Sequence, residues 1–488
     1  MLPDEVLLAI FDSWVDEDAF RKKDVEAWQM LVHVCRRWRS VVFGSPRRLN
    51  LRLVCGAKTP AMDTLDVWPP LPLIILCPNE ILCEDDIIAA VPKRIRERDG
   101  RKAGHYLDNI IAVLKRSDRV CQIDLSSLDL SSMTRVLSAM QQPFPELTDL
   151  RLDGVTTAIP DSFLGGSALR LRKLHLGHNL FSGLPKLLFS ATHLVDLQLG
   201  SIYHSRSFSL EAMITALSTL TSIRHLSLEA ENRYTPYLFG LASLHPLPTR
   251  SLLPVLNTLR YYGISQYFDD LVTLIDAPRL NNLDITLLND IALEIPQLTG
   301  FIGCTSMPEA LKKAHVTFQV DGTGVKFSSQ TSSHGELKVK IPCRGLDVQL
   351  SFLYQVFSFC LPPLSTSEDL YIYENIYPRP VWSDNIENTL WLELLLRFPA
   401  VKNLYLSKEI ASYIALALQE LVVGTRTEVL PILQNIFLEG LQLWGPVPEG
   451  IEQFIAARQL SGRPIAVSAI PLWERDSMRG WVMEFGFE

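Results

Sequence analysis

The sequence predicts an α/β chain: a short all-α unit over residues 1–50, then an irregular solenoid whose repeats each contribute one strand and one helix. Three observations predict it. An apolar-x-x-Leu-x-Leu unit recurs, with central residues Ile123, Leu150, Leu174, Leu197, Leu226, Leu259 and Leu283 spaced 27, 24, 23, 29, 33 and 24 apart. The first fifty residues instead carry apolar side chains at helical spacing. The 488 residues, 47% of them from the AVILMFWYC set and 20% charged, exceed one ordinary core yet hold ample apolar material to bury. Thirty scattered prolines against 25 glycines read as punctuation between many short elements.

Composition also removes function classes. Lys plus Arg number 46 against 54 Asp plus Glu, a formal charge of −8, so a chain-wide basic footprint for nucleic acid is absent. No apolar run reaches the roughly 18–20 residues of a membrane helix. Leu71–Cys77 is short, and Leu350–Leu364 is broken by Pro362 and Pro363. The opening MLPDEVLLAIF places Asp4 and Glu5 where a secretory signal carries positive charge. Eight cysteines without a CxxC pair are then expected as reduced thiols of an intracellular protein, cytoplasmic or nuclear, with no membrane partner.

The first element is a helix in which Leu2, Val6, Leu7, Ile10, Phe11 and Trp14 recur at helical spacing. Pro3 sits where its missing N–H costs nothing, and Asp4 and Glu5 suit the positive end of the helix dipole. A charged stretch leads to a second apolar-periodic segment, expected as one helix from about Val25 to Val42 and ended by Ser45-Pro46. Arg36, Arg37 and Arg39 read as the solvated side of that helix rather than a nucleic-acid patch. Two helices of this size bury too little to stand alone, so they pack on the rest of the chain, on a partner, or on both.

The pattern Leu2-Pro3-x-Glu5-Val6-Leu7-x-x-Ile10-Phe11, followed by Leu31-x-x-Val34-Cys35-Arg36-Arg37-Trp38 and Ser45-Pro46, resembles an F-box. Its continuation Arg47-Arg48-Leu49-Asn50-Leu51-Arg52-Leu53 looks like the form seen in large fungal families of F-box proteins. The resemblance covers about the first tenth of the chain, with a longer and more charged linker between its halves, Ser13 to Met30, than compact F-boxes have. It implies docking on the Skp-type adaptor of a cullin–RING ubiquitin ligase, with Pro3, Ile10, Leu31, Val34 and Trp38 as the docking surface. The residues alone leave a second reading, in which they are the core of a helical hairpin. Leu7 and Val41 are assigned to that core.

Residues 51–118 are expected as a connecting region, Pro-rich from Cys55 to Cys83, with one buried strand at Leu73–Leu76. Its insert at 91–104, VPKRIRERDGRKAG, holds six basic residues and interrupts an apolar pattern. It reads as a solvated loop, with a localisation signal or a nucleic-acid contact as the functional alternatives.

Residues 119–470 form the repeat array. The L-x-L alternation is a short strand with one buried face, and Ser209 to Leu220 reads as an intervening helix with Leu210, Ile214 and Leu217 on one face. Further copies lie at Val401-x-x-Leu404-x-Leu406 and Leu433-x-x-Ile436-x-Leu438. The spacings match or slightly exceed the roughly 20–29 residues of leucine-rich repeats, which the array resembles in degenerate form. Only Leu174-x-Leu176-x-x-Asn179 carries the asparagine that usually continues the motif. Strands are also expected at Val316–Val320, Leu337–Ile341 and Leu370–Ile372, with Gly322 to Ser333 as a mobile loop. A helix near Glu449–Gln459 and a strand at Ile465–Ser468 precede an aromatic tail, 471–488, expected to cap the last repeat.

No phosphate loop, dinucleotide fingerprint, zinc-protease or nucleophile-elbow motif is present. His175-x-x-His178 has metal-like spacing without a third ligand, and Asp269-Asp270 has no nucleophile or base beside it. In leucine-rich repeats the side chains between the buried leucines point outward from the concave sheet. Here they are Asp149, Arg151, Lys173, His175, Asp196, Gln198, His225, Ser227, Asn282, Asp284, Asn403 and Tyr405, the expected partner-binding ladder. Together with the F-box resemblance this implies a non-catalytic substrate-recognition subunit of an SCF-type ligase. It would hold a protein target, with no cofactor, metal or nucleic acid. The alternatives are a non-ligase repeat scaffold whose N-terminal helices cap the solenoid, and an enzyme hidden in the repeats.

Overall fold

Among the described residues, the N-terminal sequence folds as three helices rather than two. The computed structural model describes residues 2–14, 27–46, 48–56, 61–77, 107–154, 159–177, 184–200, 210–230, 250–288, 296–305, 311–329, 335–357, 366–374, 388–423, 429–439 and 447–470. Helix α1 spans Asp4–Trp14, α2 Ala27–Val34 and α3 Arg36–Gly44. The Pro3 carbonyl accepts the first helical bond of α1, from Leu7 N at 3.1 Å. The segment expected as one helix from Val25 to Val42 breaks at Cys35, whose backbone is extended (φ −160°, ψ 168°) and whose thiol accepts the Trp38 N–H at 3.4 Å. Val34 and Trp38 stay four residues apart across the break, so apolar periodicity does not register it.

These helices are pinned to the strands that follow. Trp28 is buried, edge-on to Phe43 and Trp68 with ring centroids at 6.1 and 5.2 Å, and its Nε1 donates to the Arg52 carbonyl at 3.1 Å. Leu7, Leu8, Phe11, Leu31, Val32, Val41 and Val42 are buried with it.

The chain divides into two units, Met1–Leu199 with Ser205–Phe208, and Gly200–His204 with Ser209–Glu488. The strands of the first are β1 Leu53–Gly56, β2 Leu73–Cys77, β3 Val120–Leu128, β4 Asp149–Gly154, β5 Lys173–Leu176 and β6 Asp196–Leu199. They pair in chain order, all parallel. The sheet thus begins inside the stretch expected as a connection, because Leu49, Leu51, Leu53 and then Leu71, Leu73, Ile75 alternate into the core as the repeat leucines do.

The second unit carries β7 His225–Ala230, β8 Ser251–Leu252, β9 Thr258–Gly263, β10 Ile275–Asp276, β11 Asn282–Leu287, β12 Lys313–Phe318, β13 Thr323–Ser328, β14 Glu336–Ile341, β15 Asp369–Glu374, β16 Asn403–Leu406, β17 Asn435–Leu438 and β18 Ala466–Ala469. Its sheet runs β7-β9-β11-β14-β13-β12-β15-β16-β17-β18, and β8 pairs with β10 separately. All neighbours are parallel except β13, which runs antiparallel to both β12 and β14. That strand lies in the stretch expected as a mobile loop. Gly324 and the surrounding Thr and Ser dilute its pattern, yet Val325 and Phe327 are buried and the ladder continues on both sides.

The apolar-x-x-Leu-x-Leu unit has a local cause. Its first apolar residue closes a turn onto the residue three before it: Leu171 N to Ala168 O at 3.1 Å, Leu194 N to Ala191 O at 3.0 Å, Leu280 N to Ala277 O at 3.1 Å and Leu433 N to Leu430 O at 3.2 Å. The strand then starts, and both L-x-L residues are buried in β3–β6, β7, β9, β11, β16 and β17. Helices follow several strands, among them Leu130–Ala139, Leu184–Ser190, Leu210–Thr219, Ser265–Leu274, Asn388–Leu396, Lys408–Val423 and Glu449–Leu460. Some start on a cap from their own sequence and some on a neighbour's: Asp269 Oδ1 accepts the Gln297 N–H at 3.0 Å, at the start of helix Pro296–Gly303.

Asp129 is a cap of the first kind, accepting Ser132 N at 2.6 Å and the Ser131 hydroxyl at 3.1 Å. Burial raises its carboxyl, but the bonds from Ser132 and Ser131 together hold it below the ordinary 3.8. A depressed carboxyl contributes stability above its unfolded pKa and loses it as pH falls through the folded value. Asp129→Ala is therefore expected to cost about 1 kcal/mol at neutral pH. Denaturant titrations should show that deficit vanishing as the pH is taken below the wild-type carboxyl's pKa.

Candidate functional site

Two surfaces collect the residues singled out from the sequence. The first is on the N-terminal helices. With Leu7, Leu8 and Phe11 turned inward, α1 leaves Val6 and Ile10 exposed at 41% and 47%, Leu2 just ahead of it is exposed at 52%, and α2 leaves Val34 exposed at 59%. Pro3 is exposed beside them. Trp38 is half-buried, edge-on to Phe11 at 4.8 Å. Leu31 is different: at 7% exposure it belongs to the interior with Trp28 and Val32, so the expected docking set loses it. In the sequence Leu31 and Val34 look alike, because which of two adjacent helical faces turns inward depends on where the neighbouring helices lie.

The second surface is the sheet face opposite the leucines. In the first unit, register sets Asp149, Lys173 and Asp196 in one lateral row and Arg151, His175 and Gln198 in the next. Lys173 Nζ lies 3.5 Å from Asp149 Oδ1, and Arg151 Nε lies 3.9 Å from Asp124 Oδ1. Asp124 extends the second row by one strand beyond the expected ladder, and it occupies the same middle position, in Ile123-x-Leu125, that marks the later members. Burial raises the Asp124 carboxyl against the pull of Arg151 and His175. Burial, and then the Arg151 charge, lower His175, with Asp153 and a hydrogen bond to Gln198 in opposition. These effects favour the neutral imidazole, and the row presents polar groups, Arg151 exposed and His175 and Gln198 half-exposed. His178, the other half of the metal-like spacing, lies outside the described residues.

In the second unit the same position changes character along the sheet. His225 and Asn282 are exposed and Ser227 and Asp284 half-exposed, in rows shared with Thr258 and Arg260. Asn403 sits in an amide chain: its Nδ2 donates to Asp369 Oδ1 and its Oδ1 accepts from Asn435 Nδ2, both at 2.7 Å. Tyr405, expected on the ladder, is instead buried at 8%. It is stacked between Tyr371 and Phe437 at 4.1 and 4.5 Å, and His315 stacks on Tyr371 at 4.3 Å. These four rings are register partners on β12, β15, β16 and β17. Burial, with Lys326 and Lys313 nearby, holds His315 well below its ordinary pKa. Lys326, Lys338 and Thr317 are buried as well, so on β12–β16 this face is part of the interior rather than an open ladder. Tyr371 and Phe437 occupy the middle of Leu370-x-Ile372 and Ile436-x-Leu438, so the same alternation marks them in the sequence.

Among the described residues no group of three His, Cys, Asp or Glu is placed to hold a metal, and no helix is long and apolar enough to cross a membrane. Asp269 is engaged as a helix cap and Asp270 with Gln266. The basic insert 91–104, the tail 471–488, Ser209 and Asn179 lie outside the described residues. No family model matches the chain, and no curated protein does.

Proposed function

We propose that the chain is the substrate-recruiting subunit of an SCF-type cullin–RING ubiquitin ligase. In this reading the N-terminal helices are an F-box that docks on a Skp-type adaptor, and the strand-and-helix units are irregular leucine-rich repeats that hold a protein target. The observation that carries it is the apolar side chains left in water at Leu2, Val6, Ile10 and Val34, on a module whose core is already filled by Phe11, Trp28, Val32 and Val42. Exposed apolar patches of this kind mark interaction sites, and the residues coincide with four positions of the F-box-like pattern, Leu2, Val6 and Ile10 in its first half and Val34 in its second. The mechanism is positioning, with target contacts on the exposed and half-exposed side chains of the rows Asp149–Lys173–Asp196 and Arg151–His175–Gln198.

Ile10→Glu combined with Val34→Glu is expected to weaken adaptor binding by about 100-fold or more, as for two central apolar anchors. The melting temperature should be unchanged, since neither side chain is in the core. Co-purification of the adaptor with the full chain measures it. No capture by the wild-type chain, or equal capture by the double variant, sinks the reading.

The scaffold reading keeps one specific support, the anchoring of Trp28 on Trp68 and the Arg52 carbonyl, which ties the helices to the first strands as a cap would be tied. Deleting residues 1–50 separates the two: a lost cap aggregates the sheet, and a lost docking module leaves it soluble.

A further inference from the structure

The exposed stripe begins ahead of α1. Leu2 and Pro3 precede its first helical residue, and residues outside a helix hold a fixed position only where something ties them down. Arg37, on α3, provides a tie. Its Nη2 donates to Asp4 Oδ1 at 2.6 Å and to the Leu2 carbonyl, and its Nε donates to the same Asp4 oxygen at 3.2 Å. One planar guanidinium thus engages a side chain and a main-chain acceptor together, a fork that a lysine's point charge does not reproduce. The next residue, Trp38, meets Phe11 edge-on at 4.8 Å. Helix α3 therefore grips α1 at two levels, Trp38 at Phe11 and Arg37 at Leu2–Asp4. Two grips along one helix fix its rotation as well as its place, and rotation decides whether Val6 and Ile10 face the solvent. The Arg37–Asp4 pair is itself largely exposed, so its contribution to global stability is small.

We propose that Arg37 is a positioning residue for partner docking: it holds the start of α1 so that Leu2, Pro3, Val6 and Ile10 are presented already ordered. The inference rests on the docking reading above. Ordering these residues in the free chain removes that cost from the binding step.

The test is calorimetric titration of the full chain with purified Skp-type adaptor, alongside thermal melts. Arg37→Ala and Asp4→Ala are each expected to weaken binding about three- to tenfold, with the melting temperature unchanged. The double variant should be no weaker than the poorer single one, because the two residues act as one clamp. Arg37→Lys should recover only part of the loss. Wild-type affinity in Arg37→Ala, or additive losses in the double variant, overturns the positioning role while the docking reading stands. An affinity loss that comes only with a lowered melting temperature also overturns it, in favour of a fold-stabilising role. Failure of the wild-type chain to bind the adaptor overturns both.

Discussion

Gly450→Val is expected to be among the most damaging single changes in the second unit, with Gly450→Ala already costing about 1–3 kcal/mol. Gly450 lies in the first turn of helix Glu449–Leu460, where that helix crosses Lys408–Val423. A Cβ there would lie 2.6 Å from the Ala415 carbonyl carbon and 3.3 Å from its Cα, and closer still to its oxygen. Those are backbone atoms, so no rotamer change relieves the clash; one helix must move. The cost of moving is set by what both helices bury, Ile451 and Phe454 on one and Ile414, Ala417 and Leu418 on the other. Alanine also gains up to about 1 kcal/mol of helix propensity over glycine, so a net loss would show that the clash outweighs it. Gly300 is the control. It is helical and exposed, a Cβ on it would meet nothing within 4 Å, and Gly300→Ala should be neutral or stabilising. Denaturant melts of the three variants decide the matter.

The sheet is largely legible in the sequence because the strand signal is local. L-x-L has a period of two, and the apolar residue three before its centre closes a turn that sets the strand's start, so each repeat announces itself without its neighbours. The features that escape the sequence need non-local information. Strand β13 is written Thr-Gly-Val-Lys-Phe-Ser, and only its two partners make it a strand. Alternation says that Tyr371, Tyr405 and Phe437 share a face but not whether that face is covered, so Tyr405 reads as open. On the N-terminal helices, Ile10 and Val34 are recognisable because there are more apolar positions than one helical face can bury. Leu31 is not separable from them, and Arg37 reads only as a solvated charge because its partners, Leu2 and Asp4, lie more than thirty residues away.

Trp28→Ala is expected to cost about 3–5 kcal/mol, the range for emptying a large buried aromatic site. The residue is almost wholly buried, holds Phe43 and Trp68 edge-on, and satisfies the Arg52 carbonyl through Nε1. Its loss therefore removes the packing and the polar link between α2 and β1 at once. A chain of this size need not melt in one step, so a single midpoint is the wrong readout. Hydrogen exchange resolved along the sequence is the right one. If the helices are a docking module seated on the sheet, protection should fall over residues 2–14 and 27–46 while β3–β6 keep theirs. If they are a cap on which the sheet depends, β1 to β3 should lose protection with them. Trp28→Phe separates the two contributions of the indole. It keeps most of the ring packing and leaves the Arg52 carbonyl without its donor, which should cost about 1 kcal/mol and leave the exchange pattern of α1–α3 close to that of the wild-type chain.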